Sequence, residues 1–148
     1  ADIGNGTMNT LYMINGKPQQ GKMFTEKFGT YQCTLAVREA FMQRTQREIN
    51  DAIIDEVLIT GTANIAPADL KIIKSVAAEY VRDIFRRLRE HGYDENTMTL
   101  YVTGGGGCLV KNFYKFSADR VKFVEDICAA AKGYKYLAEA QMKAEAKG

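Results

Sequence analysis

Two short stretches offer bare backbone where an anion could meet it. In LYVTGGGGCLVKNF an apolar run leads into four glycines, Gly104 to Gly107. Adjacent glycines forfeit more backbone entropy on ordering than any other residues, so the run calls for a reason. A strand, a glycine run and a helix, in that order, bring free N–H groups to a place where a phosphate can approach the main chain. A slack strand-to-helix connection is the other reading, and the run alone fits both. It is not a P-loop, because no lysine follows in the G-K-[ST] position. Nor is it the dinucleotide fingerprint, since Glu125 and Asp126, about twenty positions on, fall where a helix begins.

The second stretch is ADIGNGT at the amino end. Gly4 and Gly6 would let a tight turn press its amides against phosphate oxygens, and the Thr7 hydroxyl adds a donor. Asp2 would point into the same space. As an anion it cannot hold a phosphate, but it can hold Mg²⁺ through the metal's waters or orient an attacking water. Asn-Gly hairpins also occur with no ligand at all, so this stretch too is incomplete alone. Together, two backbone cradles a hundred positions apart would bracket the two ends of a nucleotide.

The elements that must position them follow from pattern. Asn5-Gly6 predicts a type I′ turn with positive φ at both residues. Met8 to Ile14 reads as a strand, Asn15-Gly16 as a second turn and Gln20 to Thr25 as another strand, which makes a meander. Only Ala1 to Gly4 precede the first turn, fewer residues than strands usually have. The first arm looks cut short, as in the carboxy-terminal piece of something longer. Thr30 to Arg47 reads as a helix with Leu35, Ala36, Ala40 and Phe41 on its apolar face. Asn50 to Thr60 reads as a shorter one with Asn50 as N-cap. Pro67 and Asp69 open a long helix carrying the stripe Ile73, Val76, Ala77, Tyr80, Val81, Ile84 and Leu88, and Gly92 suits its left-handed end. Thr97 to Thr103 predicts a strand, Cys108 to Phe116 a helix, Arg120 to Val124 a short strand and Asp126 to Ala146 a final helix.

At this point the order of motifs resembles the carboxy-terminal half of an actin-like ATPase, and within that superfamily most resembles the plasmid-segregation proteins of ParM or StbA type. The second phosphate hairpin of the actin, Hsp70 and sugar-kinase superfamily reads D-x-G-x-G-T, matched at Asp2, Gly4, Gly6 and Thr7. LYVTGGGG matches the family's adenosine loop. DICAAAKGYKYLAEA resembles its last helix, where Ala129, Ala130, Ala131 and Gly133 would allow close packing at the hinge. FGTYQCTLAVREAF resembles the segment that leads into the small outer subdomain. The likeness runs from Asp2 to about Met142.

The resemblance implies an α/β, ribonuclease-H-like fold: residues 1–30 and 97–148 as the nucleotide-binding subdomain, with 31–96 as an inserted, mostly helical one. It implies ATP, with GTP as the alternative, and Mg²⁺ as cofactors. Asp2 would serve the metal and the hydrolytic water, and Gly4, Asn5, Gly6 and Thr7 the β- and γ-phosphates. Gly104, Gly105, Gly106 and Gly107 would lie along the α-phosphate, ribose and base, with Cys108 and Leu109 flanking adenine. Arg38 and Glu39 would reach ribose or base from the opposite wall, a solvated pair being the plainer reading. The implied function is nucleotide-dependent polymerisation that segregates plasmid DNA. The full-length protein would associate with itself in filaments and meet DNA through a DNA-bound adaptor protein. The family's other phosphate hairpin and water-positioning residue belong to an amino-terminal half, so turnover is expected of the full-length protein and not of this piece. The alternatives are half of a non-polymerising sugar or acetate kinase or of an Hsp70-type ATPase, or an interaction domain whose glycines form only a loop.

Composition is compatible with all of these. Among 148 residues, 46% are hydrophobic and 26% charged, enough for one globular core. A net charge of +2 predicts no direct nucleic-acid or membrane surface. Cys33, Cys108 and Cys128 are far apart and accompanied by one histidine, so neither a disulfide framework nor a zinc site is expected. Reduced thiols and a cytoplasmic location are. Arg82, Arg86, Arg87 and Arg89 make either a solvated face or a longitudinal filament contact, and the aromatic residues read as packing.

Overall fold

The computed structural model describes residues 1–116, 119–126 and 128–145. Its elements are β1 (Asp2–Ile3), β2 (Met8–Ile14), β3 (Lys17–Glu26), α1 (Thr30–Thr45), α2 (Asp51–Thr60), α3 (Pro67–Glu90), β4 (Leu100–Val102), α4 (Gly107–Phe113), β5 (Val121–Phe123) and α5 (Ala129–Glu145). The first three strands form an antiparallel sheet in chain order, and β4 pairs in parallel with β5. The two sheets meet at β1, where Asp2 bridges in parallel to Thr103 just beyond β4. The strands therefore lie in the order β3, β2, β1, β4, β5.

Alternation along the strands sends Ile3, Met8, Leu100, Val102 and Val121 to one face, where they join buried residues of the first four helices in one hydrophobic cluster. That cluster draws on residues 31–96 and on the flanking segments alike. α1 and α4 both pack on α3, and α2 packs on α4. On the other face Leu11, Met23 and Tyr101 stay exposed, and β3 is an outer strand.

Helix ends follow their local chemistry. The Asn50 side chain caps α2 by accepting from the Ala52 N–H at 2.8 Å. Pro67 stands in the first turn of α3, and Gly92 beyond its end has φ +91°. Asn15 and Gly16 make the expected turn, and their φ of 50° and 75° give it the primed form. Because that turn is tight, β3 begins at Lys17 rather than Gln20, paired with Ile14.

Other expectations need correction. α1 buries Cys33, Thr34, Val37 and Phe41, while Leu35 is 40% exposed. Its inward face is thus rotated from the one that Leu35, Ala36 and Ala40 suggest. Residues before Leu100 do not extend β4, because the Asp94 carboxylate gathers the Asn96 N–H and the Thr97 hydroxyl into a turn. α4 stops at Phe113, and extended Tyr114 stacks on Phe85 at 3.8 Å between centroids. α5 begins at Ala129, after Asp126 has accepted the Cys128 and Lys132 donors. Of the last helix's predicted residues, Ile127 and Ala146 lie outside the described residues, as do the side chains of Ala130, Tyr134, Leu137, 140–141 and 143–145.

β3 is tied to the end of α3 through Glu26. Its carboxylate pairs with Arg87 and, at 2.9 Å, with His91, whose ring stacks on Phe24 at 3.6 Å. His91 is thus a cross-element contact as well as the C-cap residue of α3. Burial alone would raise the Glu26 carboxyl, but the His91 and Arg87 hydrogen bonds and the guanidinium charge outweigh it and hold it below the ordinary 4.5. A carboxyl lowered in the folded state stabilises fully above its unfolded value, and that contribution disappears as pH falls through the folded one. Urea titrations should therefore show the wild type losing stability more steeply than Glu26→Gln between about pH 5 and pH 3. Parallel curves for the two proteins would remove this pair from the account.

Candidate functional site

β1 is held to the β4 side by a continuous main-chain ladder. Ala1 N donates to Tyr101 O at 2.7 Å, Thr103 N to Ala1 O at 2.9 Å and Ile3 N to Thr103 O at 2.9 Å. The ladder continues into the glycine run, where Gly106 N donates to Ile3 O at 2.8 Å. Since β1 and β4 run in parallel, the chain leaves both at the same end. The Asn5-Gly6 loop and the glycines are neighbours there, as in open α/β sheets that bind ligands beyond the carboxyl ends of their strands.

Two of the four glycines, Gly104 and Gly106, are a packing requirement. A Cβ on Gly106 would stand 2.3 Å from Ile3 Cγ2, and one on Gly104 would stand 2.5 Å from Asp2 Oδ1 and 2.6 Å from Ile3 O. Gly104 also has φ +84°, which disfavours a side chain in any case. Gly105 is exposed with nothing near its Cβ position, and Gly107 starts α4. The Asp2 carboxylate therefore lies against Gly104, where the glycine run begins, so these two predicted groups share one place.

The Asn5-Gly6 turn is not the expected type I′. Neither residue has positive φ. Gly4 N does donate to Thr7 O at 2.9 Å, but the Gly4 carbonyl accepts from Thr30 N at 3.0 Å and the Asn5 carbonyl from Tyr31 N at 2.9 Å. The first amides of α1 thus draw the turn's carbonyls outward and prevent the reciprocal bond that closes a tight primed hairpin. Among the described residues, the amides of Asn5, Gly6, Thr7, Gly104 and Gly105 meet no acceptor. These N–H groups, with the Thr7 hydroxyl, are the free donors of the site.

The seat of this loop has no counterpart among the sequence expectations. Gly29 caps α1 with extended backbone, φ −99° and ψ −172°, which any residue adopts. Its reason is space: a Cβ would stand 2.3 Å from the Asn5 carbonyl oxygen and 2.6 Å from that of Gly4. The Gln32 side chain accepts the Gly29 N–H at 2.9 Å, and the Tyr80 hydroxyl donates to the Gly29 carbonyl at 2.8 Å. Tyr80 stacks on Phe28 at 4.3 Å, and the Arg87 guanidinium covers the other side of that ring. Desolvation by burial keeps the Tyr80 hydroxyl protonated far above its ordinary range. A glycine between Phe28 and a Thr-led helix is the only local sign of this seat.

The remaining predicted residues fall elsewhere. Leu109 is 1% exposed in the core, so its side chain cannot flank a base; α4 turns it inward, beside Val110. Cys108 stays at the surface of α4. Arg38 and Glu39 lie more than two turns along α1, paired with Asp51 and Gln43 respectively. They line a separate depression of about 260 Å³ with Met42, Glu48 and Ile49, and touch neither glycine stretch. Cys33 is fully buried, and desolvation lifts its thiol to about 12, which leaves no nucleophile there. Among the described residues there is no cluster of three or more His, Cys, Asp or Glu that could hold a metal. No helix among them is long and apolar enough to cross a membrane.

The unequal roles of the glycines can be measured. Gly106→Ala should cost about 1–3 kcal/mol in urea unfolding, since Ile3 must move to admit the methyl group. Gly105→Ala should stay within about 1 kcal/mol of wild type. Equal costs for the two would mean that Gly106 does not lie against Ile3.

No protein-family model and no curated protein matches the sequence, but solved structures do. An archaeal actin homolog superposes with a TM-score of 0.71 at 17% identity, over 94% of this chain and 47% of that one. A non-polymerisable quadruple mutant of pCBH ParM gives 0.68 at 16%, over 94% and 45%. A Bacillus thuringiensis ParM with ATP gives 0.59 at 13%, over 85% and 40%. The chain spans about half the length of the structures it matches. At these identities the likeness is one of fold, and over that span this chain has the fold of the actin-like proteins.

Proposed function

We propose that the chain is the nucleotide-binding half of a bacterial actin-like ATPase, which polymerises with ATP in the cytoplasm to segregate plasmid DNA. The observation that carries this reading is the ladder from Ala1 to Gly106, which sets the Asp2–Thr7 loop and the glycine run side by side at one end of the sheet. The strand order β3, β2, β1, β4, β5 supports the ribonuclease-H-like topology. On this reading residues 31–96 are the inserted subdomain, although they share the core with the rest.

The free amides of Asn5, Gly6 and Thr7 suit the terminal phosphates. Those of Gly104 and Gly105 suit the nucleoside side, where only glycine lets a planar group lie against the main chain. Asp2 is a lone carboxylate. It therefore suits an ion that arrives with phosphates and keeps most of its waters, as Mg²⁺ does, and not a metal caged by protein alone. Bound Mg²⁺ would neutralise phosphate charge; the chain's own part is to donate N–H groups and to hold the metal's waters or the attacking water with Asp2. Binding is the activity proposed for this chain, because clamping a triphosphate and excluding water need a second wall. Self-association in filaments and a DNA-bound adaptor belong to the full-length protein. The polymer, rather than a monomeric kinase or Hsp70-type ATPase, is favoured by the ParM structures among the matches.

Titration calorimetry with ATP tests the site. Mg²⁺ should strengthen ATP binding, and Asp2→Asn should cost roughly tenfold of that gain while binding metal-free ATP at least as well, because a like charge has gone. Heat without any Mg²⁺ dependence would refute the role of Asp2. An absence of binding at millimolar ATP, together with unshifted Gly4–Thr7 and Gly104–Gly106 amide resonances, would refute the site. Full-length protein that fails to sediment with ATP would leave the kinase or Hsp70-type reading.

A further inference from the structure

We propose that Tyr80 is a positioning residue for the phosphate loop, one that sets how well the chain holds a triphosphate relative to a nucleoside; this rests on the function proposed above. Among the described residues, the only side-chain hydrogen bond to the Asn5–Thr7 loop is a long one from the Thr30 hydroxyl to Asn5 Oδ1, at 3.3 Å. Its place is set by two carbonyls, those of Gly4 and Asn5, held on the Thr30 and Tyr31 amides. Carbonyls fixed on one side direct the amides of the same peptide units to the other, since N–H and C=O point oppositely across a planar peptide. The loop's donors are therefore only as well aimed as the start of α1 is fixed.

What fixes that start is Gly29. Its N–H is bound by Gln32 within the helix, and its carbonyl is bound by the Tyr80 hydroxyl from the middle of α3. That hydrogen bond is buried and reaches across 51 positions of sequence. The ring of Tyr80 is held in turn by Phe28 on one side and by core neighbours of α3. Loss of the hydroxyl would leave the Gly29 carbonyl buried without its donor, and the helix start would shift or open to recover one. The glycine run does not depend on this contact, because its own anchor is Ile3. Tyr80 should thus govern the phosphate end of the ligand and leave the nucleoside end alone.

Tyr80→Phe keeps the ring and its stacking and removes only the donor. In the variant, Thr30 and Tyr31 amide hydrogens should exchange about tenfold faster, while those of Ile3 and Thr103 hold. Affinity for ATP with Mg²⁺ should fall about tenfold and that for adenosine should stay within about twofold. Gly29→Ala, which wedges a methyl group against the Asn5 carbonyl, should give the same ATP-selective loss by a separate route. Unchanged exchange at Thr30 and Tyr31, exchange accelerated uniformly along the chain, or equal losses for ATP and adenosine would each overturn the assignment. If wild-type chain binds no nucleotide, the proposed function fails, and the exchange comparison still decides whether Tyr80 positions the loop.

Discussion

Everything at the candidate site depends on one packed edge, where β1 lies against the end of β4 with no side chain between them. Main-chain hydrogen bonds run through Ala1, Ile3, Thr103 and Gly106, and at Gly104 and Gly106 a side chain would collide with Asp2 or Ile3. A ladder of this kind is stiff because each bond shares its peptide planes with the next. It gives two loops of very different sequence position a common frame. Without it, the three-stranded meander and the βαβ unit would be joined only through the helices packed on them.

The second loop is set less rigidly. It rests on two helix-start amides, which rest on Gly29, which rests on a tyrosine of α3. A helix N-terminus normally satisfies its first amides with a side chain or water. Here backbone carbonyls of another element take that part, so the helix is capped by the loop and the loop is aimed by the helix. The Glu26 pairings at the far end of α3 bind the same helix to β3. α3 is therefore the common support of the sheet's outer strand and of the loop seat.

The sequence speaks most plainly where chemistry is local. Pro67, Asp69, a long apolar stripe and Gly92 define α3 without tertiary help, and Asn15-Gly16 defines its turn. The glycine run and ADIGNGT pair on residue type alone, because both are poor in side chains and each is chemically incomplete without the other. Long-range contacts override local rules elsewhere. Asn5-Gly6 has the composition of a primed turn, yet Thr30 and Tyr31, some twenty-five positions on, claim its carbonyls. Leu109 looks available because it follows the glycines, but the phase of α4 turns it into the core. Gly29 and Tyr80 are invisible as a pair because nothing in either residue's neighbourhood announces the other.

The exposed flank of β3 has a consequence of its own. A ten-residue outer strand with unpaired peptide groups is a template on which another copy could anneal edge to edge. Pro18 removes one donor from that rim, and Lys17 and Lys22 set like charges along it, so stacking of two such rims meets repulsion and a gap in the bonding. Lys22 also lies over the Tyr12 ring of β2, 4.7 Å from its centroid, which holds its charge against the face of the hairpin. Any orderly association of this protein is thereby steered away from the rim of the sheet and toward surfaces that carry side-chain specificity.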